Sequence, residues 1–254
     1  MVLREIAEPQ NGNVSQAQLG WPACHNGRMD WHAARVSLML AALTAVLLLL
    51  PSLWLGRWLA RTRWRGRALV EALLMLPLLL PPTVIGLYFL LAFGQGSALG
   101  AWLARVLNLQ LVFSFEGLLL ASVLVNVPFM VQPILRSFAA IPQNLLEAAW
   151  VSGLGRWRTF LRIELPLAWH GLIAGVALTA AHTLGEFGVV LMVGGSIPGE
   201  TRTLSIAIYD RVQAFDMSQA HAMALTLVLF SLLALVLVFA ADRPGTRRRA
   251  TPEG

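Results

Sequence analysis

Five runs of apolar residues divide the chain, at residues 36–55, 72–93, 117–135, 165–191 and 217–241. About 20 such residues cross the hydrocarbon core of a bilayer. None of the runs alternates with period two, so they read as spanning helices rather than barrel strands. Two shorter stretches are amphipathic instead. In residues 203–215, Leu204, Ile208, Val212 and Phe215 recur at helical spacing, with Asp210, Arg211 and Gln213 opposite them. Residues 101–115 show a weaker version of the pattern. Both read as helices lying along one membrane surface, the first also as a re-entrant gate element. One polar island, EAAWVSGLGRWRTFLRIELP at 147–166, stands between the third and fourth runs.

Prolines mark the runs unevenly. Pro77, Pro81 and Pro82 interrupt the second and Pro128 and Pro133 the third. Each removes a backbone donor and favours a kink, which neighbouring helices or a water-lined cavity can accommodate. Five in two helices point to a moving or pore-lining core. Gly100, Gly171 and Gly175 read as points of close helix contact. Trp31, Trp54, Trp58, Trp64 and Trp169 sit near run ends, where indoles anchor at the interface.

Composition agrees with a membrane protein. The 254 residues are 57% hydrophobic and 13% charged, against about 25% charged in soluble domains. All 19 basic residues are Arg. Without Lys there can be no Walker-type phosphate loop and no Lys Schiff base, so any work driven by ATP needs a nucleotide site on another chain. The formal charge of +6 is no nucleic-acid footprint, because the Arg residues cluster at run ends. Thirteen of them lie after the first run, after the third run and in the C-terminal tail, and six lie in the opposite segments. The positive-inside rule then puts the N-terminus outside and the C-terminus and the polar island in the cytoplasm. Cys24 is alone, which excludes an internal disulfide or a multi-Cys metal site. The histidines show no metal-ligand spacing, and no Ser–His–Asp, HExxH or CxxC arrangement points to catalysis. Residues 1–30 are polar, lack helical periodicity and lack the apolar core of a secretory signal. They read as a disordered extension, with Met29 a candidate start of the native chain. Residues 31–242 form the membrane domain and 243–254 a basic tail.

The island has the build of a helical hairpin. Pro142 suits a first helical turn, Gly153 suits a left-handed cap, and residues 156–163 suit a second helix that Leu165-Pro166 turns into the fourth span. Ala148 and Ala149 leave a smooth patch beside the charge of Glu147. Here the sequence resembles the importer-type ABC transporter permeases. Glu147-Ala148-Ala149, then Gly153, Phe160, Ile163 and Leu165-Pro166 match the EAA motif of that family throughout. The resemblance implies an all-α permease fold with about five transmembrane helices in a bacterial inner membrane. It implies that hairpin 141–166 is a cytoplasmic coupling element seated on an ATPase subunit. It also implies a homodimer with the pore on its axis, two ABC ATPase subunits carrying ATP and Mg²⁺, an external oxyanion-binding protein and surrounding lipid. This chain itself would bind no cofactor or nucleic acid and catalyse no reaction.

Two further segments are similar to the molybdate and sulfate branch of the family, Leu80-Pro81-Pro82-Thr83-Val84-Ile85-Gly86 and Leu184-Gly185-Glu186-Phe187-Gly188. The loop Ile197-Pro198-Gly199-Glu200-Thr201-Arg202-Thr203 resembles the molybdate permeases in particular. Thr183, Glu186, Phe187, Thr201, Arg202 and Thr203 are therefore candidates for the substrate path or its gate. A bare carboxylate would repel a dianion, so Glu186 is expected to pair with Arg202 or Arg211 or to bind backbone N–H groups. His182 is expected to pack through hydrogen bonds, beside Thr179 and Thr183. A sulfate, thiosulfate or tungstate permease is the alternative within the class, and an ion-driven secondary transporter the alternative outside it.

Overall fold

The computed structural model describes residues 30–241, and these form a bundle of helices with no strand among them. The readings of the N-terminal extension, the Met29 start and the basic tail lie outside the described residues. Helix α1 (Trp31–Arg61) starts at Asp30, whose side chain caps it by accepting from Ala33 N–H. It packs along α5 (Phe115–Ala139) and α8 (Leu165–Gly185). Helix α11 (Met217–Ala241) lies on α8 and beside α10 (Leu204–Gln213). Four helical stretches are long and apolar enough to span alone, and a fifth is a bent pair.

The bent pair is α2 (Arg67–Leu79) and α3 (Pro82–Phe93), expected from the sequence as one span. The two helices meet at 104°. The cause is local. A residue before proline is driven out of the helical region, and Pro81-Pro82 applies that constraint twice. Leu80 takes ψ 139° and Pro81 ψ 135°. The isolated Pro128 and Pro133 behave otherwise, since α5 runs helically through both. Helices α1 and α8 flank α5 and hold it. Val70 and Leu74 of α2 pack near Leu59 at the Arg61 end of α1, whereas Phe89 of α3 packs with Val189 and Val193 at the other end. The pair thus runs between the two ends of the bundle.

The fourth span is also shorter than its apolar run. Helix α8 stops at Gly185, Glu186 is extended at ψ 128°, and a new helix α9 (Gly188–Gly194) follows. The two breaks face each other, because a Cβ on Gly188 would lie 2.8 Å from Pro82 Cβ. In α10 the buried set is Leu204, Ile206 and Ala207, not the expected row from Leu204 to Phe215. The helix ends at Gln213, and Phe215, at φ 58° and 85% exposed, has left its register. Helix α4 (Ala98–Val106) turns back on α3, with Gly100 against the carbonyls of Phe93 and Gly94.

Close helix contact at glycine is realised between α8 and α5. A Cβ on Gly171 would fall 2.2 Å from Ser137 Oγ and 2.6 Å from Pro133 O, and Gly175 lies against Met130. The backbone carbonyl cannot move aside as a side chain can. Gly171→Ala should therefore destabilise the fold by about 1–3 kcal/mol. A thermal unfolding midpoint in detergent checks this, and Ser137→Ala should restore only part of the loss.

Candidate functional site

The island at 147–166 is a hairpin at one end of the bundle. Helix α6 (Gln143–Val151) ends at Ser152, and Gly153 takes φ 79°. Gly153 N–H donates to Trp150 O and Leu154 N–H to Ala149 O, both at 3.0 Å. That is a Schellman closure, which needs a left-handed residue and so favours glycine. Helix α7 (Arg156–Thr159) follows. It does not turn at Leu165-Pro166 as expected. A π-helical turn, Phe160–Glu164, carries it without a break into α8, so the second arm of the hairpin is the first turn of a membrane helix.

The motif residues divide by face. Glu147, Ala148 and Gly153 are exposed, and so is Pro166. Ala149 and Phe160 are buried, while Ile163 and Leu165 are half-buried. The smooth patch is thus Ala148 with Glu147, since Ala149 faces inward. Leu145, Trp150, Val151 and Trp157 add exposed apolar surface to the hairpin, with Val151 at 89%. Beneath it, Phe138, Ile141, Leu146 and Phe160 form one cluster with Ala45 and Leu48 of α1 and Ala168 and Leu172 of α8.

A residue that sequence reasoning passed over anchors the second arm. Glu164 is only 2% exposed. Arg57 Nε donates to its Oε2 at 2.7 Å and Arg57 Nη2 to its Oε1 at 2.9 Å. Arg61 Nε stands 4.0 Å from the same carboxylate. Arg57 also lies 5.0 Å over the Phe160 ring, and Trp54 stacks near Trp157 and Phe160 at centroid distances of 6.5 and 6.3 Å. The available signal was a lone acid at the edge of the fourth apolar run, with five arginines following the first run.

The remaining candidates gather at the other end. Glu186 Oε1 accepts from Val189 N–H at 3.2 Å and so caps α9. The expected backbone bond is present, but the expected Arg partner is not. Arg202 pairs with Asp210 at 3.0 Å and Asp30 at 3.8 Å, and Arg211 with Asp216. The ionisable side chain that faces Glu186 is His182, with Nε2 3.7 Å from Oε2. Asn126 Nδ2 donates to Ser122 O at 2.8 Å, which leaves Asn126 Oδ1 to face His182 Nδ1 at 3.2 Å. His182 also stacks on Phe129, so its packing role is plain. Thr183 Oγ1 donates to Thr179 O, and Thr201 Oγ1 donates to Gly194 O while accepting from Ile197 N–H. Thr203 Oγ1 meets Ser205 Oγ, whose hydroxyl reaches Glu186 O at 2.7 Å. Phe187 packs on Tyr209. Thr183, Glu186, Phe187 and, through Ser205, Thr203 gather at the α8–α9 break, whereas Thr201 ties the far end of α9 and Arg202 pairs with Asp210 and Asp30, its Nε buried without an acceptor.

A helical membrane bundle with a broken span and a helical hairpin leading into another is the architecture of a permease subunit of an ABC importer. Residues 52–244 match the family described as binding-protein-dependent transport system inner membrane component, and the chain belongs to it. It is 46% identical over 215 residues to the molybdenum transport system permease protein ModB of Azotobacter vinelandii, covering 84% of this chain and 95% of that one. With ModB of Escherichia coli (strain K12) it shares 38% over 185 residues, 72% of this chain and 80% of the other. A sulfate transport system permease protein, CysW of Synechocystis, is 36% identical over 179 residues, 70% of this chain and 64% of that protein. Among solved structures, a bacterial alginate ABC transporter aligns with TM-score 0.66 at 18% identity, over 84% of this chain and 76% of that one. The inward-facing MetNI methionine transporter aligns at 0.58 and 16%, over 84% and 94%. At such identities the likeness is one of fold. The protein is thus an inner-membrane component of an ABC importer.

Gly153→Ala would force a Cβ into the left-handed region at a cost of about 1–2 kcal/mol. No neighbouring atom lies within 4 Å of that Cβ, so strain is the whole effect. Hydrogen exchange at the Gly153 and Leu154 amides should quicken in the Ala variant and much less in Gly153→Asn.

Proposed function

We propose that this chain carries molybdate inward across the bacterial inner membrane, driven by separate ATPase subunits that grip its hairpin at 141–166. The observation that carries the reading is the hairpin itself. It presents Glu147, Ala148 and Val151 outward and is continuous with spanning helix α8, so a push on its surface is a push on α8. The absence of Lys from the sequence supports a nucleotide site, with its Mg²⁺, on another chain. The Arg bias supports a cytoplasmic hairpin and C-terminus and an outer N-terminus. One hairpin per chain supports two copies around a shared pore, one for each ATPase subunit. In this reading residues 31–242 are the membrane domain, 243–254 a cytoplasmic tail and 1–30 an extension outside.

Molybdate as cargo is supported by the names of the more similar relatives. It is also supported by the meeting of the two breaks, which carry the two segments resembling oxyanion permeases. A path beside Thr183, Glu186, Phe187, Thr201, Arg202 and Thr203 would pass polar groups most of which are bonded to other parts of the protein. Such groups suit a gate, since an importer must release its anion. An external oxyanion-binding protein would deliver to the loop at 195–203. Alternating access then follows from ligands that bind the two states unequally.

Inside-out handling is avoided by reconstituting the chain with its ATPase and binding protein in sealed vesicles. ATP-dependent uptake of labelled molybdate is expected, with tungstate competing and excess sulfate competing weakly. Uptake driven by an ion gradient without ATP would overturn the class of mechanism. Preferred uptake of sulfate would overturn the cargo.

A further inference from the structure

We propose that Glu164 and Arg57 form a joint that stays closed through the transport cycle, so that α1 serves as a strut from the coupling hairpin to the outer loop. This rests on the hairpin being the ATPase contact. The resemblance to the family fixes Ile163, Leu165 and Pro166 and leaves position 164 open, so the motif gives no reason for an acid there. The structure nonetheless buries that acid at 2% exposure and holds both its oxygens on one guanidinium.

The joint is a ladder rather than a single contact. On α1, Trp54, Arg57 and Arg61 are spaced i, i+3, i+7, which puts them on one helix face. On the hairpin arm, Trp157, Phe160 and Glu164 have the same spacing. The rungs are Trp54 on Trp157 and Phe160, Arg57 over Phe160, and Arg57 with Arg61 on Glu164. The lowest rungs fall on the π-helical turn, which closes with Leu165 N–H on Phe160 O. Such turns recur at functional sites.

Charge is used here for geometry. A buried ion pair adds little net stability over an apolar contact, but losing one partner strands the other. A bidentate Arg–carboxylate pair also fixes direction, where apolar faces slide. Arg61 stands 4.0 Å from the same acid, and its Nε and Nη2 are buried with no hydrogen-bond partner. Opening the joint would strand Arg57 and remove the acid beside Arg61, so it should remain shut while the hairpin moves.

The far end of the strut is tied as well. Asp30, which caps α1, faces Arg202 at 3.8 Å, and Ser37 Oγ accepts from Leu204 N–H at 2.8 Å. Those bonds flank the loop at 195–203. Helix α1 stays helical for 31 residues, through Pro51, a contour of about 46 Å at 1.5 Å per residue, and it has a bonded partner at each end.

The test uses the chain assembled with its ATPase and binding protein, and reads molybdate transported per ATP hydrolysed. Glu164→Gln and Arg57→Gln should keep the ATPase subunit and its hydrolysis yet lower that ratio about fivefold or more, the lower end of usual coupling factors. The exchange Arg57→Glu with Glu164→Arg should recover much of it. In a chain with Cys24→Ser, the pair Arg57→Cys and Glu164→Cys should transport better after linking by a short bis-thiol reagent than before. An unchanged ratio in Glu164→Gln, or transport abolished by the link, would overturn the joint. If single variants do not accumulate, the charge exchange and the linked pair decide the matter alone. A wild-type chain that fails to retain any ATPase subunit would instead bring down the reading of the hairpin, and this inference with it.

Discussion

Hydrocarbon offers no partner to an ionised side chain or to a free backbone N–H, and the described part of this protein is organised around that constraint. Buried or half-buried acids are answered locally: Glu164 by Arg57, Glu186 by the Val189 amide, Asp30 and Asp210 by Arg202. Helix breaks are allowed only where another break or helix covers them, as Pro82 meets Gly188. Polar residues inside the bundle follow the same rule. Thr44 Oγ1 donates to Ser122 Oγ, Asn126 bonds Ser122, and His182 faces Asn126. Most polar side chains in this setting are bonded to a neighbour or sit at an end of the bundle, although the Thr179 hydroxyl inside α8 is buried without a partner.

The constraint also separates the two ends. One end carries the hairpin, an aromatic stack and an ion pair, all resting on the ends of α1, α5 and α8. The other carries two broken helices, a short amphipathic helix and a loop held by Arg202. Rigid contacts at the first end suit a lever. Interrupted helices at the second suit a gate, because a break can reorganise without unfolding a span. Helices α1 and α8 run between the two and are packed on each other.

Much of this was legible from residue order alone. Apolar runs of spanning length gave α1, α5, α8 and α11 to within about two turns at each end, because length in hydrocarbon is a property of the run itself. Gly153 was legible because a left-handed cap is a local demand. The breaks were only half legible. Pro81-Pro82 announced one, but the stop at Glu186 interrupts a continuous apolar stretch, and it shows itself only when its carboxylate is seen capping α9. The Glu164–Arg57 pair spans 107 positions, and no periodicity can say which of five nearby arginines an acid will meet. Arg202 was placed in the right loop. Its two acidic partners lie on α10 and before α1, so its engagement was invisible until the chain was folded. Ala149 looked equivalent to Ala148 in sequence, and only the packed helix shows that one faces in.

The central claim is that the hairpin lies in the cytoplasm beneath an ATPase while the loop at 195–203 faces outward. Single cysteines at Val151 and Glu200, in a chain with Cys24→Ser, can be labelled with a membrane-impermeant maleimide in sealed vesicles of known orientation. The account predicts that Val151→Cys reacts only from the cytoplasmic face and is shielded when the ATPase subunit is bound, and that Glu200→Cys reacts only from outside. Labelling of Val151→Cys from the outer face, or unshielded labelling in the assembled complex, would contradict it.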